Sequence, residues 1–158
     1  FIDWVRKEIF SYHGVLGMHD LDIHTYGPGK TFITVHVEVD SQINVNVSHD
    51  VIDNIENDFK KKHNINLVIH MDPIDTTNED TLKLKELTEK ILKEIDGELK
   101  FHDFRIVKGP THTKLIFDVV MPLEFSLSPE ELKAEIIRRI QDYDQRLNPV
   151  ITVDLNYY

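Results

Sequence analysis

Three histidines and one aspartate set the chemistry this sequence can attempt. The stretch LVIHMDP, residues 67–73, places His70 and Asp72 two positions apart at the end of a β-branched run. Residues i and i+2 of a strand share a face, so the imidazole and the carboxylate project side by side. His19 lies in MHDLDI and His36 in TFITVHVEVD, two further strand-like runs. Imidazole nitrogen beside carboxylate oxygen suits a divalent metal such as zinc, which takes such donors at about 2.0–2.2 Å, usually four of them. It suits a plain surface hydrogen bond equally well.

A fourth ring, His49, follows Ser48, a residue type that caps helices. A helix N-terminus disfavours cationic imidazole and so favours the neutral form that a metal requires. His19, His36, His49, His70 and Asp72 make five donors, more than one tetrahedral ion can use. Two ions bridged by the carboxylate would employ them all. The chain has nine histidines, seven of them in the first seventy residues, so the metal-binding potential is concentrated in one half.

These donors need elements to hold them. Residues 1–12, FIDWVRKEIFSY, set Ile2, Val5 and Ile9 at helical spacing. The helix starts without a cap residue, an indication of a longer parent chain. Two alternating runs follow, joined by Gly27-Pro28-Gly29, the pattern of a β-hairpin. A two-residue Gly27-Pro28 loop sets Tyr26 against Gly29 and His19 opposite His36; a loop one residue longer sends them to opposite faces. Ser48 caps a helix to about His63 with Val51, Ile52, Ile55 and Phe59 on one face, and a strand at 65–72 closes the unit.

DPIDTTNED reads as an acidic linker, after which the order restarts. Leu84, Leu87, Ile91 and Ile95 form a helical stripe, Gly109-Pro110 turns a second hairpin, and VITVDLNY is a last strand. Between them Ser128, Pro129 and Glu131 make a strong helix start. MHDLDI (18–23) matches FHDFRI (101–106), so the second half reads as a duplicate of the first. The expected fold is α+β: two tandem αββαβ ferredoxin-like, metallochaperone-like sandwiches, at 1–75 and 79–158, with helices on one sheet face.

Composition narrows the function. Hydrophobic content of 41% and charged content of 29% describe a soluble globular chain, with no apolar run of membrane-spanning length. The absence of cysteine excludes disulfides, thiolate zinc sites and cysteine nucleophiles. A net charge of −10 repels phosphate backbones and attracts cations, which argues against a nucleic-acid partner.

With GVLGMHDLDIHTYGPGKTFITVHVEVD, SHDVIDNIENDF and LVIHMDP in that order, residues 1 to about 73 resemble the cytoplasmic C-terminal domain of the cation diffusion facilitator family of metal-ion transporters. The resemblance implies an upstream transmembrane domain of the same polypeptide, a homodimer and a regulatory paired zinc site near the dimer interface. It carries the ligands onto His19, His36, His49, His70 and Asp72, and it implies no catalytic residues. Met71 departs from the polar residue relatives often have there. Iron, manganese and cobalt share these donors, so the ligand types leave the metal open.

The second half departs from the ordinary family member. There His102 matches His19, Asp118 falls near His36 with Val119 as the rival, Asp154 matches His70, and Asn156 stands in place of Asp72. On that matching the second copy has largely lost the site and extends the dimer surface or adjusts the first half. The whole then reads as a regulatory and dimerisation region on the cytoplasmic side of the cell membrane. A metal-free interaction domain is the first alternative; a metal-dependent hydrolase with Asp72 or Glu38 as base is the second.

Overall fold

A computed structural model describes residues 1–156, so Tyr157, assigned above to the last strand, and Tyr158 lie outside the described residues. The chain divides into two compact units, one spanning Phe1–Thr76 and the other beginning at Thr77. Each unit is a three-stranded sheet with two helices, in the order αββαβ. The α+β ferredoxin-like fold expected from the sequence is what the structure shows. No described helix is long and apolar enough to cross a membrane.

In the first unit, helix α1 (Ile2–Phe10) leads into strands β1 (Gly17–Thr25) and β2 (Thr31–Asp40), helix α2 (Val45–His63) and strand β3 (Ile65–Ile74). The sheet order is β1-β2-β3, antiparallel then parallel. Alternation decides its faces. Ile33, Val35, Val37 and Val39 are buried with Val5, Ile9, Ile52, Ile55 and Phe59 in one core. Thr34, His36 and Glu38 therefore face away from the helices. Fully buried Phe59 anchors α2 on the sheet, and truncating such a side chain to alanine costs about 3–5 kcal/mol.

Two boundaries and one core position differ from the sequence expectation. Helix α2 begins a turn earlier, because the Asn44 side chain accepts from Asn46 N at 2.8 Å and takes the cap assigned to Ser48. Strand β3 continues through Pro73, which the linker reading had excluded. β3 is an edge strand, where a missing N–H need not break a ladder. Ile2 is exposed, and Val5 and Ile9, flanked by half-buried Trp4, bury the face of α1.

The second unit repeats the order with α3 (Glu79–Ile95), β4 (Lys100–Lys108), β5 (Thr113–Pro122), α4 (Pro129–Tyr143) and β6 (Leu147–Asn156). Its sheet order is β4-β5-β6. Leu115, Phe117 and Val119 of β5 pack with Ile91, Leu92, Leu132, Ile136 and Ile140 in a second core. Ser128 caps α4, its Oγ accepting from Glu131 N at 3.2 Å, as the residue types required.

Both hairpins carry the same irregularity. The β1–β2 pairing runs Thr25↔Thr31 at the turn but His19↔His36 further down, with a register shift between His19 and Asp22. Asp20 sits in that shift with φ 50°, in the left-handed region, which aspartate tolerates better than most residues. In β4–β5 the shift falls between His102 and Arg105, and Asp103 has φ 56°. Such a bulge adds one residue to one strand and re-aims the side chains beyond it.

Candidate metal centre

The bulge decides where His19 points. The turn is longer than two residues: Tyr26 N donates to Lys30 O at 2.9 Å, so Tyr26 faces Lys30 rather than Gly29. That register alone would put His19 on the wrong face. The extra residue at the bulge restores it, and His19 lands opposite His36. On the other side of β2, the parallel pairing sets His36 against His70 and Glu38 against Asp72. Three imidazoles thus form a row across the sheet, with a row of carboxylates beside it.

Asp72 is the hub. Its Oδ2 lies 3.0 Å from His36 Nδ1 and 3.2 Å from His19 Nε2, and its Oδ1 lies 3.2 Å from His70 Nε2. The rings of His19 and His36 are 4.8 Å apart, and those of His36 and His70 are 4.5 Å apart. Ligand atoms of His19, His36 and Asp72 all fall within 4.8 Å of one another, close enough for one ion to reach all three. His70 adjoins this trio through Asp72 and is largely exposed.

Glu38 is a member of the cluster that the sequence reading placed on the right face but weighed only as a catalytic base. It is 3% exposed, and its Oε1 lies 3.0 Å from His19 Nδ1. A carboxylate only accepts, so Nδ1 carries the proton and Nε2 is left to face Asp72. His19 Nε2 is buried and, although near Asp72, has no hydrogen-bond partner. Burial works against charging this ring, but the adjacent carboxylates of Asp72 and Glu38 outweigh it and raise its pKa to about 9. Near neutrality a proton therefore holds the place between two carboxylates that a cation's charge would fill.

This donor set fits a divalent transition metal. It offers imidazole nitrogen and carboxylate oxygen from three strands, and Glu38 orients the buried His19 ring. An open cleft of about 460 Å³ leads to His36 and His70 past Asp20, Asp22 and Thr34, so the approach is acidic.

His49 does not join the trio. It lies exposed on α2, whose buried side chains pack on the opposite sheet face. The earlier start of α2 also puts His49 beyond the first turn, which removes the argument from the helix N-terminus. His63 ends α2 against the indole of Trp4, with ring centroids 4.7 Å apart.

In the second unit the register revises the matching of donors. His102 pairs with Asp118, which decides against Val119. Thr152, not Asp154, stands opposite Asp118 at the position of His70, and Asp154 stands where Asp72 does, beside Val120 in place of Glu38. Asn156 pairs with Pro122, one ladder step past the end of the pattern, and corresponds to Ile74.

Residues 1–74 match the family described as the cytoplasmic domain of cation efflux proteins. Over 76 residues, 48% of this chain, the sequence is 30% identical to an uncharacterized transporter of Methanocaldococcus jannaschii. The matched stretch is 26% of that protein, so the chain spans about a quarter of the length of the curated relative. In sequence the first unit is thus similar to the cytoplasmic domain of cation efflux proteins.

Proposed function

We propose that this chain is the cytosolic regulatory and dimerisation region of a divalent-metal efflux transporter, with the first unit sensing metal of the zinc type. His19, His36 and Asp72 bind the ion, His70 adds a donor from the exposed side, and Glu38 positions His19. The observation that carries this reading is the convergence of ligand atoms of His19, His36 and Asp72, one from each strand, within 4.8 Å of one another, with His19 and Asp72 buried. The match of residues 1–74 to a cytoplasmic cation-efflux domain supports it.

His19, His36 and Asp72 would hold the ion, whose charge would offset the repulsion between Asp72 and Glu38 once the His19 proton is released to solvent. Charge between protomers falls as well, since the chain carries −10 overall. A ligand shifts an equilibrium only by its differential affinity for the two states. The regulatory step therefore needs one dimer arrangement to hold the ion more tightly than the other. His49, exposed on α2, supplies such a difference if it reaches the site of a second copy. The upstream partner is the membrane domain of the same polypeptide.

The test is a zinc titration with a spin label on α2, reading the distance between the two labels of a dimer. The expected result is saturable zinc binding with a change in spacing that is absent in Asp72→Asn. Binding with unchanged spacing would remove regulation and leave a static site. No zinc retained in equilibrium dialysis at neutral pH would favour a metal-free interaction domain.

A further inference from the structure

The second unit gathers a donor set that the proposed function does not use. His102 on β4, Asp118 on β5 and Asp154 on β6 bring one ligand atom each to within 4.8 Å of the others. By ladder register they occupy the positions of His19, His36 and Asp72, below the same left-handed aspartate bulge. The equivalence lies in the backbone pairing, and it is independent of which side chains happen to be acidic.

The side chains converge without satisfying one another. His102 Nδ1 lies 3.0 Å from Asp103 Oδ2, to which it donates. That Nε2 lies 3.7 Å from Asp154 Oδ2, and Nδ1 lies 3.8 Å from Asp118 Oδ2, both too long for hydrogen bonds. Burial and then the charge of Asp154 push the Asp118 carboxyl above its usual range, partly offset by Arg105 and His102. The bulge residue Asp103 thus does for His102 what Glu38 does for His19.

We propose that His102, Asp118 and Asp154 form a second divalent-cation site, selective for a harder ion of the manganese or ferrous class. One nitrogen and two carboxylate oxygens make a more oxygen-rich set than the trio of the first unit, and harder cations prefer oxygen. His102 and Asp154 are about half exposed, leaving room for the waters such ions retain. Arg105 stands where the first unit has Asp22, and its charge acts on Asp118. Its positive charge would compete with a bound cation.

The experiment is a manganese(II) titration of the full ¹⁵N-labelled chain, with and without one equivalent of zinc, following paramagnetic broadening of amide signals. Saturable broadening is expected around residues 102, 118 and 154. Asp154→Asn should weaken it at least tenfold, and Arg105→Gln should strengthen it several-fold. His102→Gln, at an exposed position, serves if Asp154→Asn does not fold. Sharp signals around all three residues at millimolar manganese would overturn the proposal, as would broadening that Asp154→Asn or its substitute leaves unchanged. Broadening confined to the first unit would overturn it too while leaving the first site standing, and loss of zinc binding alone would not touch it.

Discussion

His19 Nδ1 and Glu38 Oε1 lie 3.0 Å apart, both side chains buried, and Gly17 sits directly beside the Glu38 carboxylate. A Cβ built at Gly17 runs into Glu38 Oε2. Because the obstacle is the end of a flexible side chain, Gly17→Ala should fold with Glu38 swung aside. His19 then loses the acceptor that fixes its tautomer. Zinc affinity should fall about 10–100-fold, the usual cost of losing such a support, although no ligand has changed. Competition against a chelator measures it, with Glu38→Gln as the parallel variant. Wild-type affinity in both would mean that Glu38 does not position the ring.

The same pair predicts a pH dependence of stability in metal-free protein. The His19 pKa is raised from 6.5 to about 9 in the folded state, so folding favours the protonated ring. That stabilisation is fully present below pH 6.5 and is lost as pH rises through 9. Its size is on the order of 3 kcal/mol at most. Denaturation in excess chelator at pH 6.5, 8 and 9.5 should show the decline, and His19→Gln should flatten it. A wild-type curve level across that window would refute the shift.

Much of this site was legible because strand alternation is a strict period of two. It put His36 and Glu38 opposite the valines of β2 and put His70 beside Asp72. Four features escaped. The hairpin turn is longer than Gly27-Pro28 suggests, and the bulge at Asp20 cancels the error, so His19 meets His36 for a reason the letters do not display. A glycine would have marked the left-handed position; an aspartate does not. Asp154 was matched to His70 because a slip of two residues keeps a side chain on the same face, and only the parallel pairing to β5 separates the two positions. Asn44 and Ser48 are both capping types one turn apart, and sequence gave no means of ranking them.

The ligands should not contribute equally. Asp72 meets three imidazoles within 3.2 Å, whereas His70 reaches the cluster from a largely exposed position. Asp72→Asn should lower zinc affinity by more than 100-fold, and His70→Ala by less. His49→Ala should leave affinity unchanged in dilute monomer and lower it only where the protein dimerises. Titrations at two protein concentrations separate these cases. A monomer in which His49→Ala costs as much as Asp72→Asn would contradict the placement of α2 on the far face.

A cap in the second unit offers a stability change that leaves the first site alone. Ser128 Oγ accepts from Glu131 N, Pro129 follows at the first helical position, and Glu130 and Glu131 complement the helix N-terminus. The helix they start carries Leu132, Ile136 and Ile140, all fully buried in the second core. Ser128→Ala should cost about 1 kcal/mol. Zinc at 100 times its dissociation constant should still stabilise the first unit by about 2.7 kcal/mol, because none of its donors lies beyond Thr76. Urea unfolding followed by amide signals of each unit, with and without zinc, reads both quantities in one sample. If Ser128→Ala abolished the zinc stabilisation, the metal response would depend on the second unit and would not belong to the first alone.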